Sequence, residues 1–492
     1  MTIVSTTGPL AVSTTNPRYF THRGDPTGRA IYLTGSHIWN NFHDGMGPGS
    51  DAPSEPERFD YDAYLRFLSE RGHNLIRLWR WEHIRSQAAG GDYHLAMSPQ
   101  PWRRTGPGDA VDGKPRFDLE QLDPAYFERL RERVVKAGDA GIYVDVLLFD
   151  GWALHLSPSP DNIEGHPFHA RNNVNGVDAR SITDLQVLPL DPRIASLQQA
   201  YIERVIDTLH DLPNVLWEVA NESSGDGEVP PEMAEMLHLP TDVEWGDSTA
   251  WQYWVIDTIK RHEAARGYDP HPLGMTMQFP VASQTRVNEP LLKSGAEWIS
   301  PGYDDERFAD GGHPMAPDSE PSRWFADPPP ADGAKVVISD TDHYSAQADA
   351  LWAWKTFLRG NHPILMDYGL IAGVEPREGE AAAAFDAFEP ARWAMGDTRR
   401  YAERVSLVDM TPQPDRASSG YALASNHELL ALALEAGEPL AVMLESGRYG
   451  VEWFDVTDRT TAQAEAVDIT DLWTSFTAPF DGPAVVYLAH RD

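Results

Sequence analysis

The chain has 492 residues, 41% of them hydrophobic and 10% aromatic, which is enough for a large core and for a principal domain plus a smaller one. Its 40 Lys and Arg against 75 Asp and Glu leave a formal charge of -35, so nucleic acid and anionic lipid are disfavoured as partners and a neutral or cationic small molecule fits better. Cysteine is absent, which excludes disulfides, thiolate metal sites and cysteine nucleophiles.

The amino terminus, MTIVSTTGPLAVSTTNPRYF, shows neither a basic start nor an apolar signal core, and no run of about 18 apolar residues follows. A cytoplasmic protein without a membrane span is expected. From about residue 30 to 405, short apolar β-branched runs alternate with helix-period segments. The strand candidates, in chain order, are AIYLTGSH, NLIRLWRWEH, IYVDVLLFDGW, NVLWEVANES, LGMTMQFP, WISPGYDD, KVVISDTDH and PILMDYG. Eight βα units with no Gly-rich phosphate loop after the first strand predict a closed (β/α)8 TIM barrel, which with its N-terminal β-extension spans residues 1–406.

Asp123-Pro124 and Asp191-Pro192 each place a capping acid before a proline suited to the first helical position. Behind Asp191, the residues Ile194, Leu197, Tyr201, Ile202, Val205 and Leu209 recur on one helical face. The Gly-, Pro- and Asp-rich segments 83–115, 151–190, 223–247 and 304–333 follow strands and are expected as the long loops that build a barrel mouth. After residue 407 the segments YALAS, ELLALALEA, LAVMLES, GVEWFDV and PAVVYLAH carry strand signals without helical period, so residues 407–492 read as a small antiparallel β-sandwich. Its expected role is to pack against the barrel or to touch a polymer.

NVLWEVANES drives an apolar run into Asn221-Glu222, which puts two polar side chains where the fourth strand leaves the sheet, a place suited to a proton donor. The seventh strand candidate ends in Asp340-Thr341-Asp342-His343. Acids at these two strand ends face one another across a barrel mouth, and glycoside cleavage needs two opposed carboxyl groups. A separation of about 5 Å gives retention and one of about 6.5–9.5 Å gives inversion. Asp340 stands nearer the strand's last apolar residues and is favoured over Asp342 as the second acid. An Asx turn or a metal-binding loop is the bland reading of both. Around the mouth stand His37, Trp39, Asn40, Asn41 and Asp44 after the first strand, Trp81 and Glu82 after the second, Trp152 and His155 after the third, His343 after the seventh and Asp367 at the end of the eighth. Indole faces stack on sugar C–H faces while carboxylates, amides and imidazoles exchange hydrogen bonds with hydroxyls, so the expected partner is an oligosaccharide or glycoside. Asp367 reads equally well as one side of a structural salt bridge.

On Asn221-Glu222 and the acid closing the seventh strand, the chain resembles the clan A glycoside hydrolases. That resemblance implies an Asn-Glu acid/base pair on strand four and a carboxylate nucleophile on strand seven. Asp340 falls where a family 5 enzyme has Glu, one methylene longer. Arg77 matches the strand-two arginine that supports the nucleophile in family 5, with a barrel-interior ion pair as the alternative. Tyr303 stands where a clan A tyrosine or histidine contacts the nucleophile. TGSHIWNNFHD, GHNLIRLWRWE, DTDH and WAWKTFLRGNHPILMDYG look like the barrel proteins near the family 140 apiosidases, and GVEWFDV is similar to the collagen-binding-type β-sandwich attached to them. The implied enzyme is a retaining glycosidase acting on chain ends or short substrates, with Glu222 as acid/base, Asp340 as nucleophile and no cofactor.

Two other readings stand beside it. One is a metal-dependent hydrolase using His37, His43, Asp44, His343 and the acids of DTDH as ligands, although the first strand lacks the paired His-x-His common at such sites. The other is a carbohydrate-binding protein without turnover. Linkage, sugar identity and oligomeric state have no signal in the sequence.

Overall fold

The computed structural model describes residues 8–48, 58–84, 86–87, 93–152, 154, 163–228, 244–283, 286–302, 321–345, 347–370, 373–374 and 379–491. Eight strands, β1 (Gly35–His37), β2 (Leu75–Leu78), β3 (Tyr143–Asp150), β4 (Val215–Asn221), β5 (Leu273–Thr276), β6 (Trp298–Ser300), β7 (Val336–Asp340) and β8 (His362–Met366), form one sheet in the order β1-β8-β7-β6-β5-β4-β3-β2. Each strand is followed by a helix: α1 (Tyr61–Glu70), α2 (Pro124–Asp139), α3 (Pro192–Leu209), α4 (Thr249–Arg266), α5 (Glu289–Lys293), α6 (Arg323–Ala326), α7 (Ala350–Leu358) and α8 (Glu380–Arg404). This is a (β/α)8 barrel, and all eight strand candidates are strands of it. Among the described residues no helix is long and apolar enough to cross a membrane.

The chain packs as two compact units, residues 1–10, 37–66 and 76–320 in one and residues 11–36, 67–75 and 321–492 in the other. In the first unit β3, β4, β5 and β6 are parallel neighbours, with Asp150 opposite Asn221 and Trp217 opposite Leu273. Two helices that lie against this sheet start as their sequences dictate. The Asp123 carboxylate accepts from Ala125 N–H at the head of α2, and the Asp191 carboxylate accepts from Arg193 N–H at the head of α3. On α3 the buried stripe is Ile194, Gln198, Tyr201, Ile202, Val205, Ile206 and Leu209. The polar member, Gln198, accepts from Trp251 Nε1 at 2.9 Å, which satisfies an amide that would otherwise be costly to bury.

The segment expected as one long loop after β2 is partly sheet. Residues Asp44–Pro48, Tyr93–Ser98 and Ser86–Gln87 form a three-stranded antiparallel sheet, and Trp102–Asp109 pairs with Pro115–Leu122 as a hairpin. Trp102, Phe117, Leu119 and Phe168 bury a side core beneath that hairpin.

In the second unit Asp340 of β7 lies opposite Ile364 of β8. The approach to β1 is threaded tightly. Thr34 donates its hydroxyl to Pro363 O at 2.8 Å, and Thr34 O accepts from Asn74 and Leu75 N–H at 2.9 and 3.1 Å. A Cβ on Gly35 would sit 2.0 Å from Leu75 O, so only glycine lets these backbones meet.

Beyond α8, a six-stranded antiparallel sheet has the order β9-β10-β11-β16-β13-β14, from β9 (Thr411–Pro412), β10 (Ala422–Ala424), β11 (Glu428–Ala433), β13 (Gly447–Asp455), β14 (Thr461–Ile469) and β16 (Ala484–Arg491). A two-stranded sheet of β12 (Leu440–Met443) and β15 (Trp473–Phe476) contributes to the same core, built from Leu429, Leu440, Val442, Trp453 and Leu488. This sandwich is joined to α7 and α8 by both packing and charge. Phe454 meets Trp354 and Tyr401 at ring-centroid distances of 5.5 and 5.6 Å, and the Glu452 carboxylate accepts from Tyr401 Oη at 2.8 Å and from Arg404 Nη2 at 2.9 Å.

Candidate active site

In the first unit the end of β4 is held from below by a buried charge network. Arg77 on β2 donates through Nε to Glu218 Oε2 at 2.8 Å, makes a second, shorter bond from Nη2 to Glu218 Oε1, and donates from Nη2 to Asn221 Oδ1 at 3.0 Å. Asp145 Oδ2 lies 4.0 Å from the same guanidinium. The Asn221 amide is thereby oriented, with Nδ2 directed to Asp150 Oδ1 at 3.4 Å. Arg77 is thus a barrel-interior ion pair that also fixes the residue before Glu222.

Glu222 itself has φ of +40°, a left-handed backbone uncommon for a residue with a side chain, and it is only 5% exposed. Such a conformation costs on the order of 1–3 kcal/mol and persists where the surroundings over-determine it, which is a feature of functional positions. After this single residue the chain resumes parallel pairing, Ser223 with Gln278 and Ser224 with Phe279. Glu222 therefore sits on a kink between two paired stretches. A polar cluster braces the exit: Ser248 Oγ donates to Ser223 Oγ at 2.8 Å, and Gln278 Nε2 donates to Ser248 Oγ and to Asp247 Oδ1, both at 2.9 Å.

Glu82, expected among the sugar contacts, is engaged by the chain. Its Oε1 accepts from Asp150 N–H at 2.9 Å, and its Oε2 lies 3.1 Å from His166 Nε2 and 3.5 Å from Arg80 Nη2. Burial would raise this carboxyl, but Arg80, His166 and the Asp150 N–H together hold it below the ordinary carboxylate range. Arg80 is itself buried over the Tyr201 ring, 3.8 Å from its centroid.

The aromatic residues after β1, β2 and β3 converge. Trp81 and Met97 are buried and Trp39 and Trp152, both half-buried, pack against them. Trp81 Nε1 donates to Trp39 O at 2.6 Å, and Trp152 lies 6.2 Å from the Phe279 ring. Trp39 and Trp152 are the two members of this cluster that keep partial exposure.

His37 is fully buried and its Nδ1 accepts from Trp79 Nε1 at 2.7 Å. An indole N–H only donates, so Nδ1 is the acceptor of this pair. Asn41 is spent on structure, accepting from Trp79 N–H and donating to Arg77 O. The Asn40 carboxamide oxygen is buried without a partner among the described residues. Asp44 pairs with Arg129 of α2 at 2.7 Å and accepts from Phe59 N–H at 3.3 Å.

In the second unit Asp340 is fully buried at the end of β7 and its Oδ1 accepts from Asp342 N–H at 3.0 Å, an Asx turn that starts a short 3-10 turn over Thr341–His343. Asp342 is half-buried and His343 is buried. Thr341 Oγ1 accepts from Met366 N–H at 2.9 Å, which locks this turn to the end of β8. Asp367, one residue further, is gripped bidentately by Arg392 of α8, both bonds 2.7 Å. The structural salt bridge weighed for Asp367 is thus present. His155 and Tyr303 lie outside the described residues.

Of the ligands considered for a metal, His37 and His43 each present a ring nitrogen to an indole or backbone N–H, and Asp44 is paired with Arg129. Among the described residues no group of three or more His, Asp or Glu is arranged to hold a metal ion. The residues that the sequence reading passed over are Asp150, Gly151 and Gln186. Asp150 met the criterion that singled out Glu222, an acid at a strand end; the other two show themselves only through backbone contacts.

No family model matches the sequence, and no curated protein does either. Solved structures do share the fold. One described as a glycoside hydrolase has a TM-score of 0.58 at 15% identity, covering 99% of this chain and 98% of its own. A glycoside hydrolase family 5 protein from Bacteroides vulgatus ATCC 8482 has a TM-score of 0.54 at 14% identity, covering 98% and 94%. At such identities the likeness establishes the architecture, which extends over the barrel and the sandwich together.

Proposed function

We propose that the chain is a retaining glycoside hydrolase acting on chain ends or short glycosides, with Glu222 as acid/base and Asp340 as nucleophile. The observation that carries this reading is Glu222: a buried carboxyl in a strained backbone at the carboxyl-terminal end of a barrel strand, the edge on which such barrels keep their chemistry. Support comes from a second buried acid that ends β7, from the part-exposed Trp39 and Trp152, and from the fold shared with glycoside hydrolases. In this mechanism Glu222 protonates the leaving oxygen as an Asp340 oxygen bonds to the anomeric carbon. Glu222 then takes a proton from water, whose oxygen displaces Asp340 with net retention.

Asp342 is the second reading for the nucleophile. It is half-buried where Asp340 is fully buried, and one Asp340 oxygen already serves the Asx turn. Glu222→Gln is expected to reduce turnover of an alkyl glycoside by on the order of 10²–10⁴-fold with the fold intact. A panel of aryl pyranosides and furanosides, followed by NMR of the anomeric product, tests the whole reading. Azide rescue of Asp340→Asn should yield a glycosyl azide of inverted configuration. Rescue of Asp342→Asn alone would transfer the role to Asp342, and no turnover of any glycoside would remove the proposal.

A further inference from the structure

The left-handed turn at Glu222 has an identifiable cause in the neighbouring strand. Gly151, directly after β3, donates its N–H to Asn221 O at 2.7 Å. A Cβ on Gly151 would lie 2.3 Å from Glu222 O, 2.7 Å from Ser223 Cα and 2.8 Å from Glu222 C. All three neighbours are backbone atoms of the kinked stretch, so no flexible side chain is there to yield. Gly151 is not among the glycines of positive φ, so its own conformation would accept a side chain. The requirement for glycine comes wholly from the close approach.

Asp150 is pinned in turn, so that the glycine cannot back away. Its N–H donates to Glu82 Oε1, its Oδ1 faces Asn221 Nδ2, and its carbonyl accepts from Gln186 Nε2 at 3.2 Å. Gln186 closes the circuit, because its Oε1 accepts from Ser224 N–H at 3.1 Å. The chain on both sides of Glu222 is therefore tied to one dipeptide, through Asn221 before it and Ser224 after it.

From this geometry we infer that the Asp150–Gly151 dipeptide positions Glu222: the bare α-carbon of Gly151 admits the kinked backbone, and the Asp150 contacts hold it against that carbon. Gly151 and Asp150 are positioning residues that act through Glu222. The catalytic consequence rests on the acid/base role proposed above, whereas the conformational consequence does not.

Two measurements separate these levels. A crystal structure of Gly151→Ala should show residue 222 moved out of the left-handed region or its peptide displaced from residue 151; an unchanged φ at 222 with the peptide undisplaced would overturn the inference, whatever the protein catalyses. The second measurement compares methyl and 2,4-dinitrophenyl glycosides of the sugar the wild type accepts, since only the poor leaving group needs a proton. Gly151→Ala should lower kcat on the methyl glycoside at least 100-fold and on the dinitrophenyl glycoside less than tenfold in the glycosylation step. Asp150→Ala should show the same asymmetry more weakly, with partial recovery in Asp150→Asn, which keeps an acceptor for Asn221. Equal losses on both substrates in folded variants would mean a general structural role and would sink the positioning claim. If Glu222→Ala itself fails to show the asymmetry while φ at 222 responds to Gly151→Ala, the glycosidase reading has failed and the clamp stands.

Discussion

Glu82, Arg80 and His166 form a buried group in which the charges of Arg80 and Glu82 depend on one another. Arg80 and Glu82 are 2% and 4% exposed, so Glu82→Gln would leave a buried guanidinium without its carboxylate partner. That loss costs about 3 kcal/mol or more, and the denaturation midpoint at neutral pH should fall accordingly. The pH dependence distinguishes this from lost packing. Folding lowers the Glu82 proton affinity, so its contribution is complete above the ordinary carboxylate value and is lost as pH falls below it. Wild type and Glu82→Gln should therefore converge in stability on acidification below about pH 4.5, the ordinary value for this group. A gap that stays constant down to pH 3 would show that charge is not the cause. The strand-end positions of Glu222 and Asp340 were legible because a polar end to an apolar run is visible in one dimension. The bidentate grip of Arg392 on Asp367 was not, because the arginine lies 25 residues away on a helix whose facing side the sequence does not mark. Gly151 is harder still, since what makes it necessary is the backbone of another strand.

At the scale of elements, the barrel strands announced themselves by apolar β-branched runs bounded by turn residues, and the Asp-Pro pairs marked the starts of α2 and α3. What escaped was strand without apolar alternation. WRRTGPGD forms one arm of a hairpin although it holds two glycines and a proline, because its partner and the side core under Trp102 and Phe117 supply the stability. TAQAEAVDI is β14, an edge strand of the six-stranded sheet, and is mostly exposed, so its signal is weak although Ile469, Ala462 and Val467 pack on the sandwich core. WTSF, β15, is too short to show a period. The sandwich also depends on its seat against α7 and α8. Tyr401 is 1% exposed and its hydroxyl has Glu452 as acceptor, with burial raising the phenol's proton affinity further. Glu452→Ala should destabilise the fold by about 1–3 kcal/mol, the cost of leaving such a hydroxyl buried and unpaired. Urea titration of the double variant Glu452→Ala with Tyr401→Phe provides the check: with no hydroxyl to strand, part of that loss should be recovered.

The whole molecule carries a charge of -35, and the simplest expectation is that mild acid relieves repulsion and stabilises it. Three histidines argue the opposite over the range nearest neutrality. Burial pushes His43 down to about 3 and His73 and His362 down to about 4, with the charges of Arg80 adding to the effect at His43, those of Arg392, Arg71 and Arg399 adding at His73, and backbone bonds opposing it at His73 and His362. Each ring is neutral in the fold and would take a proton on unfolding once the pH drops below the free value of 6.5. Stability from such groups is complete above that value and is lost as pH falls toward the folded values. The slope approaches about 1.4 kcal/mol per pH unit for each ring and about 4 kcal/mol for the three together. Ordinary carboxylates begin to protonate only near pH 4.5 and below, so relief of the negative charge comes too late to compensate between pH 6.5 and 5. Unfolding free energy measured by urea titration should therefore fall steeply from pH 7 to 5. Replacing any one of the three by Gln should remove close to one proton from that slope, whatever the variant does to stability at pH 7. A stability that rises over the same interval would mean that long-range repulsion outweighs the buried rings, and the acid sensitivity argued from them would not exist.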